Sequence, residues 1–199
     1  DALWALARSR NLRVIEDAAL VMGSQWRKRN IGAQGDLVTF SFHPNKNITT
    51  VEGGALVVND ATEAKRVDAL RFHGIEYLPD RTRDVAFAGG KFNMPDVNAR
   101  IGAAQLARLP EFLATRRTLA KRYFERFDTD PACVLPPRPR EGDGQSWNMF
   151  SVLLPLAKMS ITRKAFRDAL EARGIGTGVS YEALHLSTLG RRYGYKKDD

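Results

Sequence analysis

The chain has 199 residues, with 31 Lys and Arg against 23 Asp and Glu, for a formal net charge of +8. Hydrophobic residues make up 43% and aromatics 9%, a globular composition that excludes a largely disordered or fibrous chain. No apolar run approaches the roughly 20 residues of a bilayer-spanning helix, and the lone Cys133 excludes an internal disulfide or a thiolate metal cluster, so no metal site is expected.

A positive surplus suits nucleic acid, an anionic membrane or a phosphorylated small molecule. Here the bases are scattered through Arg27-Lys28-Arg29, Arg116-Arg117, Lys121-Arg122, Arg138, Arg140, Arg191-Arg192 and Lys196-Lys197. They are not interleaved with aromatics, and no helix-turn-helix, zinc-finger or RNP pattern is present. The expectation is a solvated surface, partly serving anionic ligands, with no nucleic-acid or membrane partner. A reducing cytoplasm is the expected compartment.

Asp1–Arg10 reads as an amphipathic helix and not a signal peptide, with Leu3, Trp4, Leu6 and Ala7 on one side. A short strand over 12–15 stops at Glu16-Asp17. Gly32 and Gly35 bracket a turn before a second strand, 37–42. Gly53-Gly54 opens a third, 55–58, which ends at Asn59-Asp60, and a helix covers 61–70. Residues 74–90 lack periodicity and read as a long loop. Asp96 is placed as the cap of a helix to Leu109 that Pro110 ends, followed by a long basic helix over 111–127.

Pro131, Pro136, Pro137 and Pro139 make 128–145 a linker or loop. A different unit follows: a strand over 147–154, a helix over 161–173 stopped by Gly174, and a strand over 177–181. Phe166 and Leu170, four apart, share that helix's buried face. The order predicts an α/β fold with a second, α+β unit: domain one over 1–110, and a connecting helix with a small C-terminal domain over 111–199. The chain opens in mid-pattern with no initiator Met, and three strands make a small sheet. It is therefore expected to be the C-terminal part of a larger protein.

Three features carry chemistry. Glu16 and Asp17 lie just past a strand's C-terminal end, where open α/β sheets bind ligands. Ser41, His43 and Lys46 put a hydroxyl, an imidazole and an amine in one turn after the next strand. Glu52-Gly53-Gly54 is a tight turn that lets backbone approach a ligand. Spacing alone leaves open whether these are a site, or a helix cap, a solvated lysine and a plain turn.

Together they resemble a known family. The stretches VIEDAALVMGS, GDLVTFSFHPNKNITTVEGGALVVND, GGKFNMPDVNARIGAAQL and GIGTGVSYEALHL are similar, in order and spacing, to the DegT/DnrJ/EryC1/StrS sugar aminotransferases. Those are pyridoxal 5'-phosphate (PLP) enzymes of fold type I, and the resemblance runs over essentially the whole chain. It implies the C-terminal part of the PLP-binding large domain followed by a small α+β domain.

By that resemblance, Lys46 is the lysine that forms the Schiff base and then shuttles a proton. Asp17 pairs with the pyridine nitrogen, which keeps the ring an electron sink. Ser41 contacts the phosphate. Asn93 reaches the phosphate of a neighbouring subunit, so a homodimer with a shared active site is expected. His185 matches a histidine near the substrate. His43 either packs the cofactor pocket or shapes its loop, Glu52 either contacts the sugar or fixes its turn, and His73 is expected to be structural.

The implied reaction moves an amino group, from L-glutamate, to a keto group on a nucleotide-linked sugar. The alternatives are a catalytically silent or regulatory fragment that kept the fold, and a basic nucleic-acid-binding module. A dehydratase branch, with His in place of the lysine, is disfavoured by Lys46. The chain departs from the family pattern at Leu20 (usually Gln or His), Val51 (Gly), Arg100 (Ala) and Tyr181 (His). The family's N-terminal Gly-Thr phosphate loop and ring-stacking aromatic have no counterpart here.

Overall fold

The computed structural model describes residues 1–130, 132–180 and 183–196; Pro131, Tyr181 and Lys197 lie outside them. The chain divides into two compact units, Asp1–Val152 and Leu153–Asp199.

In the first unit, α1 (Ala2–Ser9) leads to β1 (Ile15–Asp17), then to a two-strand ribbon of β2 (Gln25–Trp26) and β3 (Arg29–Asn30). β4 (Leu37–Ser41) and β5 (Gly54–Val58) precede α2 (Ala61–Leu70), the hairpin β6 (Ile75–Tyr77) and β7 (Arg83–Val85), α3 (Asp96–Ala107) and α4 (Leu109–Phe127). The main sheet has the order β1-β4-β5. β1 runs parallel to β4, with Asp17 opposite Thr39, and β5 runs antiparallel, with Ser41 opposite Gly54. Val38, at the centre of β4, is fully buried.

Arg13 bonds both oxygens of Asp36 at 2.7 Å and reaches Glu63 on α2, which ties the approaches to β1 and β4 to that helix. Asp60 caps α2, accepting from the Glu63 amide at 2.7 Å.

α4 explains why the loops after β1 and β4 sit where they do. Its buried residues, Leu109, Leu113, Ala120 and Phe124, recur at spacings of four, seven and four, one stripe of the helix. Leu109 and Leu113 pack on Ile48, Met22 and Phe42. Ala120 and Phe124 pack on Trp147, Leu135 and Phe150. The expected domain boundary after residue 110 falls in the first turn of α4, inside the first unit.

Several expectations are corrected. Residues 74–90 contain the β6–β7 hairpin, pinned where Gly74 passes Phe87: a Cβ on Gly74 would lie 1.8 Å from the Phe87 carbonyl oxygen. Pro95, not Asp96, occupies the cap position of α3. Pro110 lies in the first turn of α4, so it opens that helix rather than ending α3, because its missing N–H has no helical partner to lose there. Leu3 and Leu6 of α1 are exposed, and Ala7 alone in that helix is buried.

No strand forms over the described residues of 147–154, where Trp147 takes a left-handed φ of 50°. The second unit carries α5 (Arg163–Glu171), capped by Thr162, then a 3-10 turn over Leu184–Leu186 and the short α6 (Thr188–Arg192). Phe166 and Leu170 are both half-buried on α5. The expected 177–181 strand has no ladder in its described part, 177–180, where Gly178, like Gly176 just before it, gives little strand propensity. Thr177 is held instead by side chains: its hydroxyl accepts from Arg167 at 3.2 Å and donates to Glu171 at 2.9 Å.

Candidate active site at the carboxyl ends of β1 and β4

Parallel pairing of Asp17 with Thr39 puts their side chains on one face of the sheet, and Ser41, two residues on, shares it. A carboxylate and a hydroxyl therefore project from the same face at the same end of two adjacent strands. Asp17 is exposed and accepts from the Ala19 amide at 3.0 Å with one oxygen. It lines a cavity of about 450 Å³ with Trp26, Arg138 and Arg140. The Ala18 amide donates to the Thr39 carbonyl at 2.9 Å, so the ladder runs right up to the loop that follows.

Lys46 lies in the loop that leaves β4 beside Ser41, and it is half-buried. That loop is closed on itself. The Thr50 amide (3.0 Å) and the Thr49 hydroxyl (3.0 Å) both donate to the Phe42 carbonyl, and the Phe42 amide donates to Gly53 at 2.8 Å. The Lys46 amide donates to the His43 carbonyl at 2.9 Å. Gly102 of α3 presses on the loop, since a Cβ there would come within 2.6 Å of the Thr50 methyl.

The structure thus gathers Asp17, Ser41 and Lys46 at one sheet end. It gives His43 a role inside its own loop, with Nδ1 2.8 Å from Asn45 Oδ1 and Nε2 4.0 Å from Glu52. The Glu52 carbonyl fixes its turn, accepting from the Thr50 hydroxyl at 2.8 Å and from Asn98 at 3.3 Å, while its carboxylate is exposed. Val51 adopts a φ of 71°, which explains why glycine suits this position. Leu20 offers only its carbonyl, to the Ser146 hydroxyl at 3.4 Å. The His73 amide donates to Gly90 at 2.8 Å and its ring meets Phe72 edge-on, a loop-closing role. Arg100 is exposed on α3. His185 is half-buried in the second unit.

Asn93 stands apart from the three. It lines a separate cleft of about 1210 Å³ along β5, with Glu52, Lys91 and Asn98, and neither Asp17, Ser41 nor Lys46 borders that cleft. Its Oδ1 is buried with no partner among the described residues, so part of its hydrogen-bonding capacity is unspent.

Two residues escaped the sequence reading. Asn47, 5% exposed, donates to the Met22 carbonyl at 2.8 Å. Asn148 donates to the Asn45 carbonyl at 3.2 Å and to Asn47 Oδ1 at 3.1 Å. The signal available was an amide directly beside the candidate lysine, a residue type that is buried only when bonded.

Asp17, Ser41 and Lys46 fit PLP in kind, supplying an acid for a ring nitrogen, a hydroxyl for a phosphate and an amine for an aldehyde. Among the described residues no cluster of His, Cys, Asp and Glu could hold a metal ion, and no helix is long and apolar enough to cross a membrane.

Comparison with known proteins shows the family and the fold. An uncharacterized protein of Methanocaldococcus jannaschii is 33% identical over the whole chain, which covers 54% of that protein. The structure of the aminotransferase TlmJ from Streptoalloteichus hindustanus is 32% identical, with a TM-score of 0.80 over 93% of this chain and 49% of that one. That of DesV from S. venezuelae, in complex with a ketimine intermediate, is 30% identical, with a TM-score of 0.82 over 96% of this chain and 49% of that one. The chain spans about half the length of these relatives. The model of the DegT/DnrJ/EryC1/StrS aminotransferase family matches residues 1–199, and the chain belongs to that family, as part of a PLP aminotransferase fold.

Proposed function

We propose that the protein of which this chain is part transfers an amino group, from L-glutamate, to a keto group on a nucleotide-linked sugar, with PLP held at Lys46. The observation that carries this reading is the register of β1 on β4, which sets the Asp17 carboxylate and the Ser41 hydroxyl on one face beside the Lys46 loop.

When bound, PLP supplies an aldehyde and an electron-withdrawing pyridine ring. Lys46 Nζ attaches the cofactor and moves the proton at the substrate carbon. The free oxygen of Asp17 holds a proton on the ring nitrogen, which the Ala19 amide leaves available by engaging the other. Ser41 Oγ donates to the phosphate. Asn93, which the family pattern brings to the phosphate of a neighbouring subunit, lies in a cleft of its own, and on this reading the working unit is a homodimer.

Leu20 favours a second reading, a catalytically silent fragment, because it places no polar side chain where the family has Gln or His.

The test is to incubate the purified chain with PLP, reduce with borohydride and map the adduct by mass spectrometry, with Lys46→Ala as control. A single adduct at Lys46, and loss of the cofactor's visible absorbance on adding L-glutamate, are expected. Labelling at Lys46 with no response to glutamate supports the silent fragment. Scattered labelling that survives Lys46→Ala sinks the cofactor site in this chain.

A further inference from the structure

The geometry points to residues 142–148 as a strap that holds the Asp17 loop and the Lys46 loop at one fixed spacing, with Asn47 and Asn148 as its positioning residues. The inference rests on the cofactor reading above and goes beyond it, because neither asparagine would touch the reacting atoms.

The strap is zipped first to the loop after β1. Gln25 and Gly144 exchange both backbone bonds, at 2.7 and 3.0 Å. The Arg27 amide donates to Asp143 at 2.8 Å, and the Ser146 amide donates to the Ser24 hydroxyl at 3.0 Å. The Ser146 hydroxyl donates to the Leu20 carbonyl at 3.4 Å. Ser24 and Ser146 are 4% and 1% exposed, so the bond between them is shielded from water.

Asn148 then reaches the other loop. Its amide nitrogen donates to Asn45 and Asn47, the residues on either side of Lys46. Asn47 closes the triangle by donating to Met22 in the loop after β1. Both ends of the Asn47 amide are thus spoken for by different segments, and their chemistry fixes which end faces which: only the nitrogen end can donate to the Met22 carbonyl, and only the oxygen end can accept from Asn148.

Apolar packing alone does not set this spacing. Met22 and Ile48 share one apolar cluster with Leu109 and Leu113, but such contacts are non-directional. Directional bonds from buried amides choose one register, since leaving either end of Asn47 unpaired exacts a desolvation penalty. The strap is itself braced. Trp147 sits in the left-handed region at φ 50°, buried against Phe124 and Phe150, and its carbonyl accepts from Arg116 at 3.1 Å. Backbone held in that region by its surroundings is where functional geometry is stored. Displacing Lys46 relative to Asp17 would separate the amine from the ring nitrogen's acid, and a misplacement of about 1 Å costs about a hundredfold in rate.

Asn148→Asp keeps the shape but turns the donor into an acceptor facing two acceptors. Asn47→Asp removes the bond to Met22. Each variant of the full chain is compared with wild type by hydrogen exchange without cofactor, and by the rate of Lys46 labelling with PLP and borohydride. The pH at which the bound cofactor's visible band converts is a third readout. Exchange of peptides covering 18–25 and 43–50 is expected to rise about tenfold while β4 and β5 stay protected. Labelling at Lys46 is expected to slow about tenfold, and the band midpoint to move by about half a pH unit or more.

Wild-type labelling and exchange in both variants overturn the inference. So does exchange that rises equally in β4 and β5, which is loss of stability and nothing more. If wild type itself is not labelled at Lys46, the cofactor reading has failed, and the exchange pattern alone upholds or overturns the strap.

Discussion

Gly102→Ala in α3 sets two effects against each other. Alanine in place of glycine inside a helix stabilises by about 1 kcal/mol. At Gly102 the new methyl would lie 2.6 Å from the Thr50 Cγ2, closer than packed carbons approach. Thr50 has no easy retreat: it is 2% exposed, its amide is bonded to Phe42 at 3.0 Å and its hydroxyl to Glu52 at 2.8 Å. Inserting a methylene into such a site costs about 1–3 kcal/mol. The balance is a loss of about 0–2 kcal/mol where an exposed helical glycine would give a gain. For a chain of this size it lowers Tm by up to about 8 °C. Thr50→Ser removes the obstructing methyl and keeps the hydroxyl. In that background Gly102→Ala is expected to stabilise by about 1 kcal/mol, a coupling of about 1–3 kcal/mol in a double-mutant cycle read by urea melts. A gain from Gly102→Ala in the wild-type background, or additive effects in the cycle, would refute the claim that α3 and the lysine loop are in hard contact.

Three further outcomes are expected. Val51, half-exposed at φ 71°, carries a left-handed strain of about 1–2 kcal/mol, so Val51→Gly is neutral or stabilises by up to about 1 kcal/mol in a urea melt; a loss beyond about 1 kcal/mol contradicts the strain. Gly74→Ala drives a Cβ to 1.8 Å from the Phe87 carbonyl at φ 70° and unfolds the β6–β7 hairpin, seen as fast exchange over 72–90 with the main sheet intact; protection equal to wild type argues against this close approach. Arg13 holds the Asp36 carboxyl below its ordinary 3.8 by hydrogen bonding. A depressed folded pKa gives stability that is present above 3.8 and is lost as pH falls through the lower folded value. Arg13→Met should therefore flatten the decline of the urea midpoint below about pH 4, leaving the contributions of Asp80 and Glu111, whose carboxyls are lowered by Thr82 and Arg108. An unchanged decline would place acid sensitivity elsewhere.

The parts of the fold legible in the sequence are those where local pattern and tertiary context agree. Leu37–Ser41 and Gly54–Val58 are runs of strand-forming residues bounded by glycine and Asn-Asp, and both form strands. The 61–70 helix has its Asp60 cap and its first-turn Glu63. Asp17, Ser41 and Lys46 are legible as polar residues at or just past strand ends, and the β1–β4 register puts Asp17 and Ser41 on one face. The hairpin at 75–85 was not legible, because its strands are three residues long and begin beside a glycine required by close backbone approach, not by a turn signal. Pro110 misled for a similar reason. Proline reads as a stop, but a helix that restarts after one non-helical residue uses it as a start.

The strap shows why a site cannot be read from its chemical residues alone. Residues 142–148 looked like the end of a proline-rich linker followed by a strand, since Trp147 and Phe150 suit a strand by composition. What decided their conformation was a set of partners 100 residues or more away in sequence: Ser24, Gln25, Asn45 and Asn47. A side-chain amide carries no periodicity, so its register with a distant loop leaves no pattern to detect. Burial supplies the missing constraint. A polar side chain at 5% exposure must be paired, and following the two ends of Asn47 leads in one step to the aspartate loop and in one step to the strap. The residues that hold the lysine in place are thus found by asking where buried amides spend their hydrogen bonds.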